Sequence, residues 1–266
     1  MPTAHLNGID LYWEEQGEGP NLLFFNGSMS TLEESRVLLD VYASRLHVAA
    51  HDQRGLGRTS IPPGPYTMAD YAADGIALID HLGWESCRVV GTSFGGMVAQ
   101  EMAVTVPDRV ERLALLCTSP GGPERASYPL HTLAELPPEE ARKVALQLLD
   151  TRFDDEWLAE HPDDKGLAEM VARRSLAPAG DDGEKARGQH EQMQARTGHD
   201  VWDRLPRITC PTLVAAGRYD GIAPPANAEA IASQVPGAEL RLYEGGHAFF
   251  AQDPQAFPDI LDFLAG

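Results

Sequence analysis

Ser93 lies in the run Gly91-Thr92-Ser93-Phe94-Gly95-Gly96, between a strand-like run at residues 87–90 and a helix-like stretch at residues 94–104. A Gly-x-Ser-x-Gly pattern between a strand and a helix is typical of a nucleophile elbow, a sharp turn that presents the serine hydroxyl. Its glycines are needed because a Cβ would crowd the turn. An ordinary glycine-rich helix start is the structural alternative. The flanking elements favour Ser93 as a nucleophile.

A serine hydroxyl is a poor nucleophile near neutral pH, so Ser93 needs a base within hydrogen-bond reach. Of the nine histidines, His247 is best placed, because it follows an apolar alternation at residues 240–243 and a glycine-rich turn. His51 is its rival at a strand end, but it precedes Asp52 within the strand pattern and is expected to point into the structure. We predict that His247 is the base, with a structural histidine as the alternative.

The base in turn needs a carboxylate that orients its ring. Asp220 follows the apolar run at residues 213–216, in a loop before a helix whose first turn suits Pro224. Asp220 is therefore the predicted acid, and the chain order is Ser, Asp, His. A capping or turn aspartate is the alternative. The rival Asp52 stands in the setting Asp-Gln-Arg-Gly, which indicates a structural turn.

A tetrahedral intermediate requires hydrogen-bond donors for its oxyanion. The elbow supplies the backbone N–H of Phe94. The second donor is expected from the turn Asn26-Gly27-Ser28-Met29, which follows the apolar run at residues 22–25. The N–H of Ser28 is the first choice and that of Gly27 the second, while a plain turn is the structural alternative.

The elements that position these residues alternate along the chain. Short apolar runs at residues 22–25, 48–50, 88–90, 113–116 and 213–216 are separated mostly by helix-like stretches, such as residues 32–46 and 68–82. This alternation predicts an α/β fold, a mostly parallel twisted sheet with helices on both faces and the active site at the carboxyl ends of the strands. Around Asn7-Gly8, two extended runs indicate an antiparallel opening hairpin.

The alternation stops between about residues 120 and 205, where the chain is charge-dense and mostly helical in pattern, with a polar loop at residues 179–183. We predict a core formed by residues 1–119 and 206–266, with residues 120–205 inserted as a helical lid. The lid's apolar residues either line a substrate pocket or pack on the core, and they include Leu130, Leu133, Leu136, Trp157, Leu158, Met170 and Trp202.

Composition excludes several function classes. No apolar run approaches the roughly 18 residues that a membrane span requires, and a net charge of −19 disfavours binding to nucleic acid or an anionic membrane. The N-terminus lacks a secretory signal pattern, so a cytoplasmic location is expected. Cys87, Cys117 and Cys210 lie in or beside apolar runs, without the spacing of a metal site or a redox pair. They are predicted to be inert thiols.

These motifs resemble the α/β-hydrolase superfamily over nearly the whole chain. The matching positions are Asn26-Gly27, residues 52–60, Gly91 to Gly96, Gly217 to Asp220, and Gly246-His247. The chain looks like small esterases, 3-oxoadipate enol-lactonases and anthracycline methyl esterases. The resemblance implies a mixed sheet of about eight strands and a helical cap after the sixth. Asn26 stands where the family usually has histidine.

The sequence therefore predicts a serine hydrolase that cleaves a small-molecule ester, lactone or thioester through an acyl-enzyme, without a cofactor or metal. The alternative is another reaction on the same triad, either a perhydrolase or haloperoxidase-like activity or carbon–carbon bond hydrolysis. A third hypothesis is a ligand receptor that retains the triad. Arg54 and Arg218 are expected to be structural, with carboxylate binding as their alternative role. A homodimer is left open.

Overall fold

A computed structural model describes residues 2–175 and 183–266, with the backbone alone for residues 170–175. Within this part of the chain, eight strands form one sheet in the order β1-β2-β4-β3-β5-β6-β7-β8. The strands are β1 (Thr3–Leu6), β2 (Ile9–Gln16), β3 (Asn21–Phe25), β4 (His47–His51), β5 (Cys87–Thr92), β6 (Val110–Leu116), β7 (Thr212–Gly217) and β8 (Glu239–Tyr243).

The sheet opens with the predicted hairpin. β1 and β2 pair antiparallel, and their last register pair joins Leu6 to Ile9 across the two-residue loop Asn7-Gly8. Asn7 and Gly8 have φ values of 48° and 76°, the left-handed conformations that a tight hairpin loop requires and that asparagine and glycine tolerate. β2 then pairs antiparallel with β4, and all later pairings are parallel. The predicted mostly parallel sheet is confirmed.

Helices cover both faces of the sheet. The core helices are α1 (Arg36–Ala43), α2 (Met68–His81), α3 (Phe94–Thr105), α8 (Pro225–Gln234), α9 (Phe249–Gln252) and α10 (Ala256–Ala265). Alternate residues of β3 face opposite layers: Leu23 and Phe25 pack in a cluster with α2 and α3, whereas Leu22 and Phe24 pack in one with α1 and α10. Both faces of the central strands are therefore buried, as the apolar runs predict.

Two predicted helix starts differ from the structure. The helix expected from residue 32 begins at Arg36, because the N–H of Leu32 donates to the Asp52 carboxylate and the N–H of Ser35 donates to two preceding carbonyls in a turn. The helix after β7 begins at Pro225, and Pro224 is its extended cap with ψ 155°. A residue that precedes proline is disfavoured in the α conformation, which explains the later start.

The described residues between β6 and β7 are helical apart from loops and one isolated bridge between Gly121 and Asp200. They form α4 (Pro138–Leu149), α5 (Asp155–Glu160), α6 (Pro162–Ser175) and α7 (Gly183–Thr197), with 3-10 turns at Leu130–Glu135 and Trp202–Arg207. The predicted polar loop at residues 179–183 lies mostly outside the described residues, as does the side chain of Met170.

A small apolar cluster that includes Leu149, Phe153 and Ala168 lies within this helical segment, with Leu158 and Trp157 at its edge. Throughout residues 2–175 and 183–266, no helix is long and apolar enough to cross a membrane. The division into core and lid, the cytoplasmic location, the expected partners and a homodimer stay predictions.

Candidate active site

The nucleophile candidate occupies a one-residue turn. β5 ends at Thr92 and α3 begins at Phe94, and Ser93 between them has φ 55° and ψ −116°. Such a conformation costs about 1–3 kcal/mol for a residue with a Cβ. The surrounding structure holds it, because the N–H of Ser93 donates to Leu116 O at 2.8 Å and Thr118 Oγ1 donates to Ser93 O at 2.8 Å.

The two glycines of the motif are required by close backbone approach. A Cβ built on Gly91 would overlap the carbonyl of Gly95, and one built on Gly95 would overlap the carbonyls of Phe25 and Asn26. The turn therefore packs directly on the end of β3. This contact brings Ser93 beside the loop that follows β3, since a Cβ on Gly27 would lie 3.8 Å from Ser93 Cβ.

Three predicted residues meet at the carboxyl ends of β5, β7 and β8. His247 Nε2 lies 2.9 Å from Ser93 Oγ, and His247 Nδ1 lies 2.8 Å from Asp220 Oδ2. With Asp220 ionised, Nδ1 carries the proton that it donates to the carboxylate, which leaves Nε2 free to accept the hydroxyl proton of Ser93. The arrangement can therefore transfer a proton from Ser93 to His247.

The carboxylate of Asp220 is 2% exposed. Its Oδ1 accepts the N–H groups of Ile222 and Ala223 at 2.8 and 2.9 Å. The other oxygen is thereby left to His247. These two backbone donors fix the position of the carboxylate, which can thereby orient the imidazole ring.

Two candidate sources of oxyanion donors lie beside Ser93. The N–H of Phe94 belongs to the first turn of α3, where helix N–H groups have no carbonyl of the same helix to bond. On the other side, Met29 has φ 57° and its N–H donates to Gln192 Oε1 at 2.7 Å. The loop that contains Gly27 and Ser28 lies beside Ser93 and is bonded to α7, and the choice between their N–H groups stays a prediction.

Neither rival residue belongs to this group. His51 is buried, packs edge-on against Phe25 at a ring distance of 5.7 Å, and has no hydrogen-bond partner for either ring nitrogen among the described residues. Burial lowers its pKa to about 4, so the ring is neutral. Asp52 accepts the N–H groups of Leu32 and Arg58, which is the turn role that its setting indicates.

Arg54 and Arg218 both have carboxylate partners. Arg54 forms two hydrogen bonds of 2.7 Å with Asp74, which is fully buried, and Arg218 lies 3.2 Å from a carboxylate oxygen of Glu244. Their charges are therefore already compensated within the fold. This pairing supports the structural role expected for them.

The contacts between α4 and the site have no signal in the sequence. The N–H of His247 donates to Leu149 O at 2.6 Å, the N–H of Gly221 donates to Leu148 O at 3.0 Å, and the N–H of Thr151 donates to Tyr219 O at 2.9 Å. The end of α4 therefore connects the loop of the acid to the loop of the base. No motif could have identified it, because only backbone atoms take part.

No cluster of three or more His, Cys, Asp or Glu side chains that could hold a metal ion occurs in the part of the chain that the structure describes. Cys87, Cys117 and Cys210 are buried free thiols. Burial raises the pKa of the Cys87 thiol to about 12, so this thiol is neutral near pH 7.

Comparison with known proteins identifies the family. A family profile described as the alpha/beta hydrolase fold matches residues 20–254. The chain is 28% identical to a putative carbamate hydrolase, RutD, of Azorhizobium caulinodans, over 98% of this chain and 97% of that protein. It is also 28% identical to 3-oxoadipate enol-lactonase 2 of Acinetobacter baylyi, over 91% of this chain and 87% of that one.

Among solved structures, the enol-lactonase from Burkholderia xenovorans superposes with a TM-score of 0.81, covering 100% of both chains at 22% identity. At that identity the likeness shows the fold. Because the family profile covers most of the chain and these relatives are hydrolases, this chain is a hydrolase of the α/β-hydrolase family.

Proposed function

We propose that this hydrolase cleaves a carboxylic ester, lactone or thioester by acyl transfer, with Ser93 as nucleophile, His247 as general base and Asp220 as the orienting carboxylate. The observation that carries the proposal is the unbroken hydrogen-bonded chain from Asp220 Oδ2 through the imidazole to Ser93 Oγ. A nucleophile, a base and an orienting group at these distances are the requirements of nucleophilic catalysis by serine.

In the first step, Ser93 Oγ attacks the substrate carbonyl carbon while its proton passes to His247 Nε2. The N–H of Phe94, with that of Ser28 or Gly27, donates to the resulting oxyanion. The bond to the leaving alcohol then breaks, and His247 gives the alcohol its proton. An acyl group remains on Ser93.

In the second step, His247 takes a proton from a water molecule, whose oxygen attacks the acyl carbon. The bond to Ser93 Oγ breaks and the serine recovers its proton from His247. The carboxylic acid is the second product. Every proton transfer uses Nε2, so the sequence of steps requires the Nδ1–H tautomer that Asp220 favours.

The helical residues between β6 and β7 are proposed to cover this site as the predicted lid. Gln192 of α7 bonds the loop beside Ser93, and the end of α4 bonds the loops of Asp220 and His247. These contacts support a position above the carboxyl ends of the strands, where substrate would enter. The lid would therefore select the substrate.

Carbamate hydrolysis is a second candidate, since the relative named a putative carbamate hydrolase aligns with 98% of this chain. A carbamate carbonyl accepts the same attack by Ser93, so the triad alone does not choose between the two substrates. Release of ammonia identifies carbamate cleavage. The sequence leaves two other activities open. Peracid formation would be identified by its product from peroxide and acetate, and carbon–carbon bond cleavage by its products from a ring-cleavage dienoate.

The test uses a fluorophosphonate probe, which reacts with activated serines, and a panel of p-nitrophenyl esters of increasing chain length. We expect the wild type to be labelled and to hydrolyse at least one ester, and Ser93→Ala to lose labelling and at least 10³-fold in kcat. Ser44→Ala is the matched control, because Ser44 is exposed at the C-terminal end of α1. Labelling of Ser93→Ala, or turnover within a few fold of the wild type, would contradict the proposal.

A further inference from the structure

Arg196 on α7 is a buried cation without a buried anion. The residue is 6% exposed. One terminal nitrogen of its guanidinium donates to Ser127 Oγ at 2.6 Å and to Tyr128 O at 2.9 Å, which are both uncharged acceptors. Its Nε is buried and has no hydrogen-bond acceptor within residues 2–175 and 183–266.

The other buried arginine among the described residues, Arg54, pairs with Asp74 through a contact of 2.7 Å. The more exposed Arg152 and Arg204 pair with Asp150 and Glu101, each through a contact of 2.6 Å. In contrast, none of the described carboxylates lies within ion-pair distance of Arg196. A buried charge is unfavourable unless it is paired, and burial alone lowers the pKa of Arg196 to about 10. The guanidinium nevertheless stays protonated near pH 7.

The contacts of α7 connect this cation to the loops of the candidate active site. Gln192, one helical turn before Arg196 and so on the same face of α7, bonds the N–H of Met29 in the loop beside Ser93. Tyr128, whose carbonyl accepts from Arg196, donates its own N–H to Ile222 O at 2.7 Å. Ile222 in turn bonds Asp220. This face of α7 therefore extends from the turn at residues 26–29, called here the oxyanion loop, to the loop that contains Asp220.

We propose that Arg196 binds a carboxylate of the substrate, so that the preferred ester or lactone carries a free carboxylate in addition to the carbonyl that reacts. The guanidinium of Arg196 bonds only uncharged acceptors, and its Nε bonds none. It can therefore form a charge-assisted hydrogen bond with a substrate carboxylate. A carboxylate bound there supplies the missing negative charge. This inference rests on the proposed function for the identity of the reacting bond.

The specificity test compares monomethyl glutarate with methyl pentanoate, which differ by a terminal carboxylate in place of a methyl group, through the methanol released. A second pair, 4-(butyryloxy)benzoate and phenyl butyrate, places the carboxylate on the leaving group instead. We expect the wild type to favour the acid of at least one pair by 10-fold or more in kcat/KM. Arg196→Met is expected to reduce that preference at least 30-fold.

Arg207→Met is the matched control, because Arg207 is exposed and its removal changes the net charge equally. Its preference ratio is expected to equal that of the wild type. Arg196→Lys is used if the methionine variant does not fold. It keeps the positive charge but loses the planar set of guanidinium donors, so it should retain part of the preference for the acid. A wild type that favours the neutral ester of both pairs, or an unchanged ratio in Arg196→Met or Arg196→Lys, would overturn the proposal.

A binding measurement separates this proposal from the proposed reaction. Glutarate is titrated calorimetrically into the wild type, Ser93→Ala and Arg196→Met, or into Arg196→Lys if the methionine variant does not fold. We expect similar affinity in the first two proteins and at least 10-fold weaker binding in the Arg196 variant. If glutarate binds in this way although no ester is hydrolysed, the carboxylate site stands and the proposed reaction fails. If all the proteins bind glutarate equally, or none binds it, the carboxylate site is wrong.

Discussion

Gln192→Ala tests whether α7 positions the oxyanion loop. Gln192 is fully buried, and its Oε1 accepts the N–H of Met29 at 2.7 Å, whereas its Nε2 lies 3.5 Å from Gln53 Oε1, at the weak limit of a hydrogen bond. The substitution therefore removes one strong bond. It leaves the Met29 N–H, in a left-handed conformation with φ 57°, without its acceptor.

The size of the effect has two bounds. Loss of the acceptor for a buried N–H costs about 1–3 kcal/mol, and loss of a complete oxyanion donor costs about 2.7–4 kcal/mol in the transition state. Because the proposed donor is the neighbouring N–H of Ser28 or Gly27, which is displaced but not deleted, we expect a loss of about 1.4–2.7 kcal/mol of transition-state stabilisation. This corresponds to a kcat reduced about 10- to 100-fold.

The assay is steady-state hydrolysis of the best p-nitrophenyl ester, with kcat and KM determined separately. KM should change by less than about threefold, because an oxyanion donor acts mainly in the transition state. Gln194→Ala is the matched control on the same helix, since Gln194 is exposed. A kcat for Gln192→Ala within twofold of the wild type, in a folded protein, would refute the reasoning.

Three further substitutions test the triad, the elbow and the buried histidine. Asp220→Asn should reduce kcat about 10⁴-fold, because the amide no longer favours the Nδ1–H tautomer of His247; circular dichroism checks the fold, and a kcat within tenfold of the wild type would contradict the role of Asp220. Gly95→Ala should lower the free energy of unfolding in urea by about 3 kcal/mol or more, because its Cβ overlaps the carbonyl of Phe25; an unchanged midpoint would show that the turn has room. His51 has a folded-state pKa of about 4, below its value in the unfolded chain, so its contribution to stability is lost as pH falls below about 6.5. Between pH 7 and pH 5 this loss is about 2 kcal/mol, and His51→Leu should remove that part of the pH dependence in urea unfolding curves; an identical dependence in both proteins would exclude His51 as its source.

The features that the sequence predicts well depend on local rules. The Asn7-Gly8 hairpin follows from conformations that these two residues tolerate, and the elbow around Ser93 follows from backbone contacts that only glycine permits. His247 and Asp220 could be selected because each follows an apolar run, and parallel strands bring their carboxyl ends to one edge. These inferences need only the order of elements along the chain.

The features that the sequence misses depend on where α7 contacts the rest of the chain. Gln192 and Arg196 are buried while Gln194 is exposed, yet all three are polar residues in a helix of low apolar content. Gln192 and Arg196 meet partners that are distant in the chain, Met29 and Ser127. A hydropathy pattern cannot separate them, because it registers which residues are apolar and not which polar residues find partners.

The bonds from the end of α4 restrict how the substrate range of this enzyme can be altered. Leu148 offers its carbonyl to the loop of Asp220 and Leu149 offers its carbonyl to the loop of His247, so a graft that exchanges the helices between β6 and β7 for those of a relative must keep a turn of the same backbone shape there. Substitutions on the exposed half of α4 leave these carbonyls in place. Specificity is therefore better evolved by changing side chains within the existing helices than by replacing the helices themselves.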